Sequence, residues 1–237
     1  MKIHYVQHVP FENPGRILSW AAQKGHRVSC TRVYANEALP EIAAFDWLVV
    51  MGGPMNIYEE SLYPWLAAEK AFIRRAIDGK KVVLGLCLGG QLIADVIGGK
   101  VTGNRVKEIG WHTITLTAAA KSSPLFSYLP ASPVVFQWHG DTFGDLPESA
   151  TLLARSEACD HQAFVYKKRV FGFQYHLENT AEIIAGLVAN CGNELVPSAY
   201  VQTAEEIIGH PECVRQDNEW MDTFLSNLER QYEEGSV

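Results

Sequence analysis

Two short apolar runs, each closed by glycines, constrain the fold of this chain more than any other feature. Asp46 to Met51 (D-W-L-V-V-M) runs straight into Gly52-Gly53-Pro54, and Lys81 to Gly85 (K-V-V-L-G) runs into Leu86-Cys87-Leu88-Gly89-Gly90-Gln91. Apolar runs this continuous and this short fit strands buried on both faces, as in a parallel sheet packed between helices. Lys2 to Val6 supplies a strand ahead of them, and Arg27 to Val33 an alternating, half-buried one. Helical spacing falls between them. It runs from Asn13-Pro14-Gly15 to Gly25, with Ile17, Leu18, Ala21 and Ala22 recurring, then from Tyr63 to Asp78, and from about Leu88 to Ile97. Pro64 near a first turn and Gly79 just past an end punctuate the second of these. The first half is therefore expected to alternate strand and helix four times.

The second half changes period. Glu108 to Thr117, Val134 to Trp138, Thr151 to Ala154, Ala163 to Tyr166 and Val170 to Tyr175 are short and strand-like, and Lys167-Lys168-Arg169 reads as a solvated hairpin turn. Helical patterns return at Thr180 to Asn190, Thr203 to Gly209 and Asp217 to Tyr232. No Pro-, Ser- or Gly-rich linker divides the chain. The expected fold is α/β and flavodoxin-like: a mixed, mostly parallel sheet flanked by helices, with an antiparallel extension. Residues 1–237 then form a single domain whose C-terminal segment, from about residue 191, is helical. Sites in such sheets lie at the carboxyl ends of the strands, so the two glycine-rich exits are where chemistry is expected.

Composition narrows the function. With 20 Lys and Arg against 27 Asp and Glu, the net charge is −7, and no basic face for nucleic acid is indicated. The five cysteines (Cys30, Cys87, Cys159, Cys191 and Cys213) are widely spaced, with no C-x-x-C pair, so neither a disulfide framework nor a metal site is expected. No signal peptide or membrane span is read, and the chain is expected to be cytoplasmic with reduced thiols. No phosphate-binding loop occurs, and no cofactor is expected.

Gly85-Leu86-Cys87-Leu88-Gly89-Gly90-Gln91 lies between a buried strand and a helix. A sharp turn there lifts its central side chain above the sheet, and small flanking residues let the chain fold back closely. The helix N-terminus aimed at the sulfur favours a thiolate, and its first amides can donate to a developing oxyanion. A lone cysteine is more often a buried bystander, as the other four are read to be. Glycines on both sides, after a strand and before a helix, make Cys87 a nucleophile candidate.

A thiol nucleophile needs a base, and the base an orienting group. Gly172-Phe173-Gln174-Tyr175-His176-Leu177-Glu178 supplies both. Residues two apart in an extended segment face the same way, so His176 and Glu178 share a face. A carboxylate beside an imidazole fixes the ring and stabilises its protonated form.

The ordered pair G-x-C-x-G-x-Q and H-x-E-x-T, here Gly85 to Gln91 and His176 to Thr180, resembles the class I glutamine amidotransferase family. Met51-Gly52-Gly53-Pro54 is similar to that family's oxyanion loop. The resemblance covers nearly the whole chain. It implies that Cys87 attacks the carboxamide of glutamine to give a glutamyl thioester and ammonia, with His176 as base and Glu178 orienting it. The amides of Gly53 and Leu88 would form the oxyanion hole, and Gln91 would help hold substrate. Gln137-Trp138-His139-Gly140-Asp141 matches a substrate-contacting region, which makes Trp138, Gly140 and Asp141 further substrate-binding candidates. His139-Gly140-Asp141 taken alone is read as structural or substrate-edge rather than as a metal site. Cys159-Asp160-His161 is read as a loop, and His112 as a sheet residue.

Gly90 stands where many ammonia-channelling members carry His. This variant resembles the free-standing branch similar to the glutaminase part of guanylate synthetase, which includes gamma-glutamyl peptidases. An open wall beside the substrate is expected at position 90. Three alternatives to a glutaminase are a gamma-glutamyl peptide hydrolase with the same triad, a non-catalytic binding protein on this scaffold, and the cysteine-elbow proteases and chaperones. Those last place His directly after the nucleophile, where Leu88 stands here. A synthetase partner chain is a possible recipient of the ammonia; by the same resemblance, such a partner would assemble the oxyanion hole.

Because the elbow occurs once among five cysteines, a glutamine-analogue chloroketone should add one label per chain, located at Cys87 by peptide mass spectrometry. Inactivation with the label on Cys159 or Cys213 would contradict this assignment.

Overall fold

Burial follows the apolar runs closely. In the computed structural model, which describes residues 1–236, all four residues of Trp47–Val50 (β3) and all five of Val82–Leu86 (β4) are buried. They lie beside Lys2–Gln7 (β1) and Arg27–Arg32 (β2) in a parallel array. The remaining strands are Lys100–Leu116 (β5), Val134–Asp145 (β6), Ala150–Ser156 (β7), Ala163–Tyr166 (β8) and Val170–Phe173 (β9). The nine-stranded sheet has the order β2-β1-β3-β4-β9-β8-β7-β5-β6. β9 pairs parallel to β4, and every pairing beyond it is antiparallel. This is the α/β architecture expected, with its antiparallel extension. Among the described residues, no helix is long and apolar enough to cross a membrane.

The helices are Arg16–Gln23 (α1), Trp65–Asp78 (α2), Leu88–Val96 (α3), Ala118–Ser122 (α4), Ala181–Cys191 (α5), Ala204–Ile208 (α6) and Pro211–Glu233 (α7). Two apolar clusters cover the two faces of the parallel strands. On one, Ile17 and Trp20 of α1 and Met221, Phe224 and Leu228 of α7 pack on Val49, Leu84, Phe171 and Phe173. On the other, Leu66, Phe72 and Ile73 of α2 and Leu92 and Ile93 of α3 pack on Leu48, Val50 and Val83. A third joins α5 and α6 to Ile109, Trp111, Phe136 and Trp138 of the extension.

The structure corrects the sequence reading in several places. β2 and β3 are joined by two single 3-10 turns, Val33–Ala35 and Ile42–Ala44, so the alternation of strand and helix is completed three times, not four. β5 and β6 each extend several residues beyond the apolar stretches that announced them. Their added residues, such as Thr102 and Gly103 opposite Thr142 and Asp141, are mostly polar, with Val101 and Phe143 reaching the core, and carry no apolar alternation. His139-Gly140-Asp141 therefore lies within β6. α4 is too short to show a period, and α7 begins at Pro211, a residue suited to a first helical turn, rather than at Asp217. Lys167 and Lys168 take left-handed φ of 50° and 63° in the three-residue connection, 167–169, of the β8–β9 hairpin.

Two glycines let the chain reverse at the end of β4. A Cβ on Gly85 would strike the backbone of Gly89, and one on Gly89 would strike the carbonyl of Val50 in the neighbouring strand. Gly89→Ala should lower unfolding free energy by about 3 kcal/mol or more, because backbone cannot move aside as a side chain can. Gly192, where an added Cβ meets nothing within 4 Å, should tolerate alanine within about 0.5 kcal/mol. Urea titration of the two variants measures the contrast.

Candidate active site

The turn between β4 and α3 sets Cys87 at φ 50° and ψ −108°, a conformation that a side-chain-bearing residue adopts only under constraint. Its amide donates to Phe173 O at 2.7 Å, and the Gly89 amide to Met51 O at 3.0 Å, so two neighbouring strands clamp the turn. The sulfur contacts Trp138 O at 3.6 Å and accepts from Gln174 Nε2 at 3.4 Å. It opens into a cavity of about 280 Å³, lined among others by Glu12, Gly53, Gln91, Trp138, Gly140, Asp141 and His176.

His176 and Glu178 follow β9, the strand beside β4, which leads into Cys87. The His176 amide donates to Phe136 O at 2.9 Å, and its Nδ1 meets Glu178 Oε1 at 2.7 Å. Both side chains are almost completely buried. Burial opposes a charge on His176, but Glu178 and the adjacent Cys87 outweigh it and raise its pKa well above the ordinary value. The segment is braced from behind by α7. Asn218 Nδ2 donates to the carbonyls of Leu177 at 3.1 Å and Asn179 at 2.9 Å, and Asp217 accepts the Phe136 amide at 3.1 Å. The Arg16 amide donates to Glu178 O at 2.8 Å, and Gly15, at φ 48°, lets α1 approach so closely that a Cβ would strike that carbonyl. Arg16 in turn holds Asp222 of α7 through two bonds of 2.8 and 2.5 Å.

Neither the Gly53 nor the Leu88 amide donates to an acceptor among the described residues. The peptide joining Gly52 to Gly53 is fixed instead through its carbonyl. Gly52 O lies 2.9 Å from His8 Nδ1, while His8 Nε2 lies 2.9 and 3.1 Å from the two oxygens of Glu69. Both ring nitrogens face oxygen acceptors, so both donate and the ring is an imidazolium. Burial alone would lower the His8 pKa; Glu69 and the Gly52 carbonyl reverse that and raise it. In a trans peptide, N–H and C=O point in opposite directions, so His8 aims the Gly53 N–H away from itself.

The structure brings Cys87, His176, Gly53, Gln91, Trp138, Gly140 and Asp141 to one cavity, with Glu178 directly behind His176. Leu88, next to Cys87, is not among the residues lining the cavity, and its side chain enters the core. Gln91 spends both amide hydrogens on protein, donating to Asp141 O and to Gln174 Oε1, each at 3.2 Å, which leaves only its oxygen for a ligand. Gly90 overturns an expectation. An added Cβ would meet Phe173 O at 3.0 Å and the Phe143 ring at 3.3 Å, beneath the sheet, so this residue forms no wall of the cavity. His139 is engaged by Glu108 at 3.0 Å and Asp141 O at 2.9 Å. Glu108 also takes Ser156 Oγ and Gln162 Nε2, both at 2.7 Å, and with Cys159 close by the cluster has the spacing of a metal site but spends its lone pairs on protein donors. Cys159 is fully buried within that loop.

Sequence reasoning missed His8, Glu12 and Gln174. His8 and Glu12 sit in the connection after β1, where no motif marks them; Gln174 sits inside the quoted G-F-Q-Y-H-L-E segment but reads there as a strand residue.

This chain belongs to the class-I glutamine amidotransferase family, whose model, described as "Glutamine amidotransferase class-I", matches residues 17–186. It is 42% identical over 199 residues to the glutamine amidotransferase-like protein YfeJ of Salmonella typhimurium, covering 82% of this chain and 83% of that one. It is 32% identical over 153 residues to gamma-glutamyl peptidase 3 of Arabidopsis thaliana, covering 62% of this chain and 60% of that one. Its fold is similar to the crystal structure of a glutamine amidotransferase from Thermotoga maritima, with a TM-score of 0.87, 28% identity, and coverage of 96% and 97%.

The His8–Glu69 pair makes stability depend on pH. Since the native His8 pKa is raised, its contribution is complete below the unfolded value of about 6.5 and is lost as pH rises through the native one. Glu69→Leu strands a buried imidazole and should cost about 3–5 kcal/mol at pH 6. The cost should shrink at alkaline pH, as measured by denaturant unfolding across that range.

Proposed function

We propose that the chain hydrolyses gamma-glutamyl amide bonds through a Cys87-His176-Glu178 triad carried by a single domain. The observation that carries this reading is the strained Cys87, opening into the same cavity as a His176 already bonded to Glu178 at 2.7 Å. Cys87 Sγ attacks the amide carbonyl while His176 takes the thiol proton. The tetrahedral oxyanion receives hydrogen bonds from the Gly53 and Leu88 amides, which no protein acceptor consumes. The carbon–nitrogen bond then breaks, His176 delivers its proton to the departing nitrogen, and a glutamyl thioester remains on Cys87. Water, deprotonated by His176, cleaves the thioester to glutamate and free thiol. Glu178 orients the ring and stabilises its charged form throughout. Gln91 Oε1, Trp138, Gly140 and Asp141 hold the glutamyl part.

A second observation favours turnover without a synthetase partner. The Gly52–Gly53 peptide is already locked by the buried His8 imidazolium, so the oxyanion donor needs no further assembly. Gamma-glutamyl compounds other than glutamine are then substrates in their own right, a reading that likeness to a gamma-glutamyl peptidase supports.

The purified protein alone should turn over gamma-glutamyl amides steadily, some of them with higher kcat/KM than glutamine. Cys87→Ala should abolish turnover, and Glu178→Gln should lower kcat by roughly ten- to ten-thousand-fold with the fold intact. A well-folded Glu178→Gln enzyme with full activity would remove Glu178 from the triad. Inertness toward every substrate until a synthetase subunit is added would favour the partner-dependent amidotransferase.

A further inference from the structure

The cavity wall holds two carboxylates that the proposed hydrolysis leaves unused, Glu194, which is paired with Lys107, and Glu12, which has no such partner. Glu12, between β1 and α1, is 7% exposed and lines the cavity. No donor among the described residues bonds its carboxylate. The other charged side chains of the wall are engaged: Lys107 with Glu194 at 2.6 Å, Asp141 with Asn56 Nδ2 at 2.7 Å, and His176 with Glu178. A buried carboxylate without a partner is costly, and a ligand that supplies the missing donor relieves that cost.

Its position identifies which part of a ligand it faces. A Cβ built on Gly52 would strike Glu12 Oε2 on one side and lie 3.4 Å from His176 Cε1 on the other. Glu12 therefore stands near the Cε1 edge of the imidazole, the edge that joins the Nδ1 bonded to Glu178 to the free Nε2. In the hydrolysis proposed above, Nε2 protonates the departing nitrogen, and the Glu12 carboxylate is near enough to that ring for a short substituent on the nitrogen to reach it. The glutamyl side lies toward Gln91, Gly140 and Asp141. Outward from Glu12 the wall continues through Leu187 and Cys191 of α5 to Glu194, an apolar strip between two acids.

We propose that Glu12 is a leaving-group subsite that recognises an ammonium on the departing amine, making the substrate class gamma-glutamyl amides of diamines. This rests on reading the site as a gamma-glutamyl amide hydrolase. Leu187 and Cys191 pack against the alkyl stem, and the ammonium donates to Glu12; Glu194 is offset by its pairing with Lys107. A departing amino acid would instead bring its own carboxylate against these acids. The groups facing Glu12 are His176 and Glu178 after β9, His8 after β1, Cys191 at the end of α5, and Glu194 after α5. Burial raises the Glu12 pKa to about 7 against the pull of His176 and His8. The subsite is thus charged above neutrality and fades below it.

The test compares three amides of gamma-glutamate: with 1,2-diaminoethane, with propylamine as its uncharged counterpart, and with glycine. The diamine amide should show kcat/KM roughly tenfold or more above the propylamide, as for a charged hydrogen bond, and the glycine amide should be the poorest. The diamine preference should rise with pH through about 7, and in Glu12→Gln the ratio should fall to near one. An equal loss on all three amides in Glu12→Gln, or a ratio near one in the wild type, overturns the proposal. If no amide is hydrolysed at all, the hydrolase reading fails separately. Calorimetric binding of the diamine amide and the propylamide to Cys87→Ala then decides the subsite: tenfold tighter binding of the former, lost on adding Glu12→Gln, supports it, and equal binding overturns it.

Discussion

The backbone reversal at Cys87 is the constraint around which the rest of the structure is arranged. A positive φ at a residue with a side chain costs free energy, and the surrounding strands must supply it. They do so by backbone hydrogen bonding on both sides, the Cys87 amide donating to the Phe173 carbonyl and the Gly89 amide to that of Met51. Both contacts require β3, β4 and β9 to be adjacent, in that order. The placement of β9 beside β4 delivers His176 within reach of the same turn. Strand order, turn and cavity are therefore parts of one geometric requirement.

Charge around the cavity is distributed in two layers. The cavity wall carries His176 together with Glu12, Lys107, Asp141 and Glu194; behind it sit the His8–Glu69 pair and Glu178, the partner of His176, all buried. The His8–Glu69 pair acts on the site through a carbonyl rather than by touching the cavity. Its imidazolium spends one hydrogen on a carboxylate and the other on the Gly52 peptide. A buried ion pair of this kind contributes little net stability for its desolvation cost; its value lies in fixing the direction of a peptide dipole.

The elements that were legible in the sequence are those whose burial is total. β3 and β4 show as unbroken apolar runs, and Cys87, His176 and Glu178 show because turn chemistry and two-residue alternation put them at strand ends. What stayed hidden depends on partners far along the chain. His8 and Glu12 lie in an irregular connection, and their importance arises only when Glu69 and Gly52 come alongside. The added halves of β5 and β6 are mostly polar and send single apolar residues, Val101 and Phe143, into the core, so no alternation marks them. Gly90 was misread because a helix's first turn directs position 90 into the sheet, a matter of phase that a motif does not state.

The bracing of Glu178 has a consequence for what counts as the unit of this site. The stretch that matches the family runs from residue 17 to residue 186, yet the carbonyls flanking Glu178 are closed by Asn218, and α7 is tied to α1 through Asp222 and Arg16. The stretch recognisable as family and the stretch that holds the carboxylate in place have different borders. Any transplant of this chemistry onto another sheet, by recombination or by design, must carry the long terminal helix with it, although none of its residues lines the cavity.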